Sequence, residues 1–134
     1  MTCPDCDGDR IRFAVPSALR QYAPEESATA RLCSNCLRLT ADAESDSAAD
    51  APPSVDWDPL PTGEAGVATA LLLGLLDSLA LRREDVTALV EHAEAAGGDP
   101  FSTLDRLVAL ADAGDIDPLL DIDRRATQLR SLVD

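Results

Sequence analysis

The chain has 134 residues, the length of one domain or of one small domain with an appendage. Its 25 acidic residues outnumber 11 basic residues, all of them arginine, so the formal net charge is −14. At low ionic strength this charge opposes a compact fold, whereas at molar salt the Debye length is about 3 Å and the repulsion is largely screened. The composition therefore argues against an ordinary low-salt cytosol and is typical of proteins from halophiles. The alternative is an acidic surface made for one basic partner.

The sequence contains no segment that predicts export or membrane insertion. The N-terminus, MTCPDCDGDR, lacks an apolar leader. The longest apolar stretch, residues 67–81, is shorter than the roughly 20 residues of a spanning helix and contains Asp77. We therefore expect a cytoplasmic protein without a membrane partner.

The first 40 residues alternate as short β-strands do. Apolar and polar side chains follow one another with a period of two in RIRFAV (10–15), TARLC (29–33) and LRLT (37–40). This pattern predicts half-buried strands. Pro16 ends the first run, and residues 17–27 are expected to form a loop with about one helical turn.

Residues 41–61 differ in composition from both flanks. The stretch ADAESDSAADAPPSVDWDPLP contains six acidic residues, four prolines and no basic residue. Such a composition predicts a disordered or extended linker. Trp57 is expected to dock this linker onto a neighbouring domain, and contact with a partner protein is the alternative.

Residues 62–134 carry helical periodicity and predict a bundle of about four helices. The first, about 63–81, is apolar nearly all round and is therefore expected to be central. The second, about 83–96, should stop at the glycine pair 97–98.

Two Asp-Pro pairs mark the remaining helix starts. Asp99-Pro100 supplies an N-cap and a first helical residue, and Gly114 should end that third helix. Asp117-Pro118 is expected to start the fourth helix in the same way.

The chain's four cysteines form two CxxC pairs separated by 26 residues. Two such pairs place four thiolates on two tight turns, which is the ligand set of a tetrahedral zinc site. The N-terminal 40 residues carry too few apolar side chains to fold by burial alone, and a structural zinc site contributes roughly 10–16 kcal/mol of apparent binding free energy. We predict one structural Zn²⁺ bound by Cys3, Cys6, Cys33 and Cys36, with Gly8 adopting a positive φ after the first turn.

Other uses of the cysteines stay open. An iron site of the rubredoxin type needs the same four ligands. Disulfides need an oxidising compartment, and a CxxC redox centre is expected in a βαβ context with a single motif.

The first cysteine pair, CPDC, and the segment GEAGVATALLLGLLDSLALRREDVTALVEHAE (63–94) occur here in an acidic chain without lysine. These features resemble a family of small uncharacterised proteins from haloarchaea. The resemblance covers most of the chain outside the linker. It implies a halophilic source, an N-terminal CPxC zinc ribbon and a helical C-terminal region, and it implies no activity. The second pair, CSNC, departs from the tidy CxxCG pattern because Leu37 follows it.

The arginines of the first segment suggest a second surface. Residues 1–40 contain five arginines and five acids, so the whole net charge of −14 lies in residues 41–134. We expect one sheet face to carry four arginines that could contact phosphates or an acidic protein: Arg10, Arg12, Arg31 and Arg38. The plainer interpretation is that they form the solvent side of the sheet, and salt would weaken phosphate contacts.

The pattern of residues supports no catalytic set. His92 is the only histidine and is expected to be exposed, and the acidic stretch 112–123 does not match an EF-hand loop. Asp77 is expected at a domain seam or at the wet edge of its helix.

The sequence thus predicts an α+β protein with a zinc-ribbon domain (1–40), an acidic Pro-rich linker (41–61) and an α-helical domain (62–134). The preferred function is a non-enzymatic, zinc-binding adaptor or regulatory protein that binds another protein in a halophilic cytoplasm. The alternatives are a nucleic-acid-associated factor that uses the arginines and a CxxC redox protein. A homodimer formed through the leucine-rich first helix is a further alternative.

Overall fold

The structure is a computed structural model that describes residues 3, 6, 8–41 and 51–133. In this part of the chain a three-stranded antiparallel sheet precedes four α-helices, which confirms the predicted α+β class. The strands are β1 (Arg10–Ala14), β2 (Thr29–Cys33) and β3 (Leu39–Ala41), and β2 lies in the middle.

The register of the sheet explains the alternation in the sequence. Ile11 lies opposite Leu32, and Leu32 lies opposite Leu39 on the third strand. Arg12 and Arg31 form the neighbouring pair, so their side chains belong to the other face of the pleat. One face is therefore apolar and packs on the core, while the other carries the arginines.

Two short 3₁₀ helices, Ser17–Tyr22 and Pro24–Glu26, connect β1 to β2. The outer edge of β1 is not left open, because the N–H of Ala14 donates a hydrogen bond to the carbonyl oxygen of Pro52 at 2.8 Å. The return of the chain at Pro52 therefore covers one edge of the sheet.

The helices are α1 (Gly63–Gly74), α2 (Arg83–Ala95), α3 (Pro100–Asp112) and α4 (Ile122–Val133). Every residue of α1 from Ala65 to Leu73 is buried, so its central position is confirmed.

The first helix is shorter than predicted, since α1 ends at Gly74 and a 3₁₀ turn (Leu76–Ser78) follows it. A Cβ atom at Gly74 would lie 2.6 Å from Cδ2 of Leu39. The glycine thus lets the sheet approach the end of the helix, which the helical periodicity alone does not reveal.

The predicted start of the third helix is confirmed and that of the fourth is wrong. Asp99 Oδ1 accepts a hydrogen bond from the N–H of Ser102 at 3.2 Å and caps α3. The corresponding cap of α4 is Asp121, whose Oδ1 accepts a hydrogen bond from the N–H of Arg124 at 3.2 Å. The Asp117-Pro118 pair lies before this helix because its segment is hydrogen-bonded to the cysteine region, as described below.

Half of the predicted linker is part of the core. Val55 is 2% exposed and Leu60 is 5% exposed, while Trp57 is half-buried and packs against the same cluster. The predicted docking role of Trp57 is confirmed, and residues 51–61 pack on the core without a helix or strand of their own. Residues 42–50 lie outside the described part of the chain.

One hydrophobic core joins the sheet to the helices. Phe13 and Leu32 of the sheet belong to the same buried cluster as Leu71, Leu89 and Leu129 of the helical region. The sheet therefore packs on the helices. No helix among the described residues has the length and apolar character needed to cross a membrane.

Candidate metal centre

The four cysteines reach one place from two parts of the chain. Cys3 and Cys6 precede β1, Cys33 ends β2, and Cys36 lies in the turn between β2 and β3. The N–H of Cys3 donates to the carbonyl oxygen of Gly8 at 2.8 Å, which closes the first turn. Pairing of β1 with β2 then brings the two turns together at the same end of the sheet.

The sulfur atoms have the spacing of a four-thiolate metal site. All four Sγ atoms lie within 4.8 Å of one another. Cys3 Sγ is 3.7 Å from Cys36 Sγ, and Cys6 Sγ is 3.4 Å from Cys33 Sγ. A tetrahedral zinc site with Zn–S bonds of about 2.3 Å has its sulfurs about 3.8 Å apart. The donor set and its spacing therefore fit a single metal ion, and all four thiols are free.

Backbone donors support the second turn. The N–H groups of Asn35 and Cys36 each lie 3.4 Å from Cys33 Sγ and point hydrogen-bond donors at that sulfur. Donors directed at a sulfur stabilise its thiolate form, which is the form that binds a metal.

The environments of the thiols differ. Cys33 and Cys36 are buried, and burial raises the pKa of each above the ordinary value for a thiol. The pKa of Cys6 is lowered to about 6, chiefly by a hydrogen bond with the Asn35 side chain and next by the Gly8 backbone. Metal binding would therefore displace protons from Cys33 and Cys36, whereas the lowered pKa of Cys6 favours its thiolate at neutral pH.

Gly8 is packed tightly against the cluster. A Cβ atom there would lie 2.7 Å from Asn35 Cβ and 3.2 Å from Cys33 Sγ. The prediction of a positive φ at this residue is wrong, because the glycines with positive φ among the described residues are at other positions. Gly8 is needed for close approach of the two turns.

Leu37 takes the conformation for which glycine is usually chosen. Its φ is 64°, in the left-handed region, and its N–H donates to the carbonyl oxygen of Cys33 at 3.1 Å. A non-glycine residue in this region costs about 1–2 kcal/mol. The side chain of Leu37 is 7% exposed, so burial in the core offsets that cost.

A segment from the helical region completes the site. The N–H of Asp117 donates to the carbonyl oxygen of Asn35 at 2.9 Å, and the N–H of Leu119 donates to that of Cys36 at 3.2 Å. These bonds satisfy carbonyl groups of the turn that carries Cys36. They also fix the segment that precedes α4 against the cysteine cluster.

Comparison with known proteins now assigns the chain to a family. A family of unknown function, DUF6276, matches residues 2–133. The chain belongs to the DUF6276 family. No curated protein and no solved structure matched the chain. This member of the DUF6276 family has a cysteine cluster that could hold a metal ion. The description of the family names no activity.

Three of the four predicted arginines lie in the strands, on one face of the sheet. Arg12 lies directly opposite Arg31, and Arg10 lies opposite Cys33. Arg12, Arg31 and Arg38 each have an interaction partner within the chain. The buried Nε of Arg10 has no hydrogen-bond partner among the described residues. The register thus groups Arg10, Arg12 and Arg31 on one face of the sheet, and it does not include Arg38, which precedes β3. Their contact with phosphates or an acidic protein stays a prediction.

Two further residues are possible functional residues in the sequence, His92 and Asp77. His92 is partly exposed, and its Nε2 lies 2.9 Å from Glu64 Oε2, a contact that joins α2 to the start of α1. Asp77 is exposed at the end of the apolar stretch, as predicted for the wet edge. Among the described residues, the four cysteines form the only group of three or more His, Cys, Asp or Glu side chains that could hold a metal ion.

Sequence reasoning identified the four cysteines that the fold brings together and missed the residues that support them. Asn35 and Gly8 lie within the cysteine segments, and only the close spacing of the two turns in space reveals their roles. The segment that contains Asp117 and Leu119 carries no sequence signal for this contact, because its Asp-Pro pair resembles a helix start.

Proposed function

We propose that this protein is a non-enzymatic, zinc-binding adaptor or regulatory protein of a halophilic cytoplasm. The observation that carries the proposal is the cluster of four cysteine sulfurs within 4.8 Å of one another. Cys3, Cys6, Cys33 and Cys36 would hold one Zn²⁺, and four thiolates leave no coordination position for a substrate. The role of the ion is therefore structural.

Zinc is proposed because closed four-cysteine sites built from two CxxC turns are the usual form of structural zinc sites. Iron would use the same sulfurs, and it would colour the purified protein. The high acidity, with a net charge of −14, supports the halophilic setting, because such a charge is tolerated best where salt screens it.

A closed structural site supports a binding role rather than a catalytic one. The metal would stabilise the turn that carries Cys36, and the segment before α4 is hydrogen-bonded to that turn. A stable surface built from both regions is what an adaptor presents to another protein.

The test is a pull-down with the tagged protein from cell lysate held at molar salt, with and without nuclease. One protein partner recovered in a fixed ratio and unaffected by nuclease supports the adaptor function. The matched control bait is Cys33→Ser, which should lose the metal and the partner together. A turnover that survives purification and disappears with a point mutation would contradict the proposal.

The register of the sheet favours one alternative enough to be tested in the same experiment. Arg12 and Arg31 are direct cross-strand neighbours, which places two guanidinium groups on one face. If recovery collapses with nuclease and with Arg12→Gln/Arg31→Gln, the function is association with nucleic acid. If the purified protein carries no metal and a CxxC disulfide forms reversibly, the function is redox chemistry.

A further inference from the structure

A groove opens beside the cysteine cluster, where three parts of the chain meet. Its volume is about 310 Å³. One wall is the turn and strand from Cys36 to Leu39, a second is the end of α1 with Asp77, and the third is the segment that contains Leu119 and Leu120. Most of the side chains that line the groove are leucines: Leu37, Leu39, Leu73, Leu119 and Leu120.

Leu119 is held on the surface beside this groove. Its side chain is 62% exposed, and the only other large apolar residue exposed to this degree in the described part of the chain is Leu81. The N–H of Leu119 is bonded to the carbonyl oxygen of Cys36, so the backbone of this leucine is fixed. Because the backbone is already fixed, burial of this leucine in an interface costs conformational entropy of the side chain alone.

The two charged residues that line the groove are of opposite sign. Arg38 and Asp77 are both exposed and lie on different walls. The segment that carries Leu119 also contains Asp117 and Asp121, both exposed, so two copies brought together here repel each other until salt screens these charges.

We propose that this groove is the interface of a two-fold symmetric homodimer. Leu119 of one copy would pack into the groove of the other beside its Leu119, and Arg38 of each copy would face Asp77 of the other. An isologous interface requires a surface complementary to itself, and a leucine beside an apolar groove with one positive and one negative wall meets this requirement. The leucine-rich α1 does not provide this surface, because its residues from Ala65 to Leu73 are buried within the chain.

The proposal predicts an unusual dependence on salt. The net charge of −14 on each copy opposes association at low ionic strength, and salt screens that repulsion. Salts that are excluded from protein surfaces also strengthen apolar contacts. The dimer should therefore tighten as salt rises, opposite to an interface held mainly by ion pairs.

Sedimentation velocity of the metal-loaded full chain, from low to molar salt, tests the interface. We expect twice the chain mass of 14.1 kDa at molar salt and at least a tenfold weaker dimer for Leu119→Asp. The matched control is Leu81→Asp, which changes an 88% exposed leucine outside the groove and should leave the dimer intact. Circular dichroism and bound metal should be unchanged in both variants, since both side chains are on the surface.

A charge exchange tests the symmetry directly. Arg38→Asp alone places two negative groups on the interface, and Asp77→Arg alone places two positive groups there, so each variant should dimerise poorly. Mixed at the lowest salt at which the wild-type chain is dimeric, the two variants should form a heterodimer, because every cross-interface pair is again of opposite sign. A variant that had merely lost its fold would not be rescued by mixing.

Three results would overturn the proposal. They are a monomer at molar salt and 100 µM or higher concentration, a dimer equally weakened by Leu81→Asp and Leu119→Asp, and a mixture of the charge variants that stays monomeric. A monomer that still recovers one protein partner through Leu119 would assign the groove to that partner and leave the adaptor function standing. The failure of the two proposals is therefore distinguishable.

Discussion

The N–H of Leu119 donates a hydrogen bond to the carbonyl oxygen of Cys36 at 3.2 Å. This bond joins the segment between α3 and α4 to the turn that carries two of the four cysteines. The sheet and the helices also share one core. Loss of the cysteine cluster should therefore lower the free energy of unfolding of the whole described chain.

Removal of the metal should therefore destabilise the helices as well as the sheet. The helices themselves contain no cysteine, but the segment before α4 loses its anchor when the turn at Cys36 loosens. Thermal unfolding followed by the helical circular dichroism signal should shift to lower temperature after chelation, in one transition. A helical transition at an unchanged temperature would show that the two regions fold separately.

At Leu37, replacement by glycine should destabilise the protein less than replacement by alanine, which is the reverse of the usual order. Its φ of 64° favours glycine, while its buried side chain contributes to the core. Both Leu37→Ala and Leu37→Gly lose the packing, roughly 2–5 kcal/mol, but glycine also relieves about 1 kcal/mol of backbone strain. Urea unfolding should find Leu37→Gly more stable than Leu37→Ala.

The control for this comparison is Leu39, which lies in β3 and does not have a positive φ. There, Leu39→Gly should be less stable than Leu39→Ala, because glycine weakens a strand. The same order at both positions would contradict the conformation assigned to Leu37.

Gly8→Ala should weaken metal binding by at least tenfold. The added Cβ would lie 2.7 Å from Asn35 Cβ and 3.2 Å from Cys33 Sγ, so the two turns must move apart. Competition with a chromophoric zinc chelator measures the loss. Because Asn35→Gly removes the first of these contacts but also the hydrogen bond that lowers the pKa of Cys6, it serves as the reference: Gly8→Ala should weaken binding less in the Asn35→Gly background than in the wild type. An unaltered affinity in Gly8→Ala alone would refute the close packing.

Asp99 should give α3 a stability that depends on pH. Hydrogen bonds from Ser102, first from its side chain and then from its N–H, lower the pKa of this carboxyl group. Because the folded pKa lies below the unfolded value, the contribution is present above the unfolded pKa of about 4 and is lost as pH falls through the folded value.

Asp99→Ala should cost about 1 kcal/mol at neutral pH, and Asp99→Asn should keep most of the cap while removing this part of the acid dependence. Urea unfolding between pH 3 and 7 compares the variants. The control is Asp115→Asn, an exposed change outside the cap, which should match the wild type. Equal acid dependence in Asp99→Asn and the wild type would contradict the role of the cap.

The parts predicted from sequence are those set by local chemistry. Alternation identifies the strands, and the Asp99-Pro100 pair identifies the start of α3. The CxxC pairs identify the members of the cysteine cluster, because each pair places two sulfurs on one turn and the pairing of β1 with β2 brings the two turns together.

The parts missed depend on contacts between distant segments. The docking of Trp57 is predicted from the sequence, but the burial of Val55 and Leu60 cannot be deduced from an acidic, proline-rich stretch, because composition does not show which surface receives these side chains. The Asp117-Pro118 pair has the same local chemistry as the true cap at Asp99, and only its hydrogen bonds to the cysteine turn prevent a helix there.

The most direct test of the central claim is metal analysis of the protein purified at molar salt without added metal, with Cys33→Ser as the comparison. The account predicts one zinc ion per wild-type chain, a loss of zinc in the variant, and slow thiol modification in the wild type until a chelator is added. A chain that is folded without metal, with thiols that react at once or with a disulfide inside a CxxC pair, would contradict it.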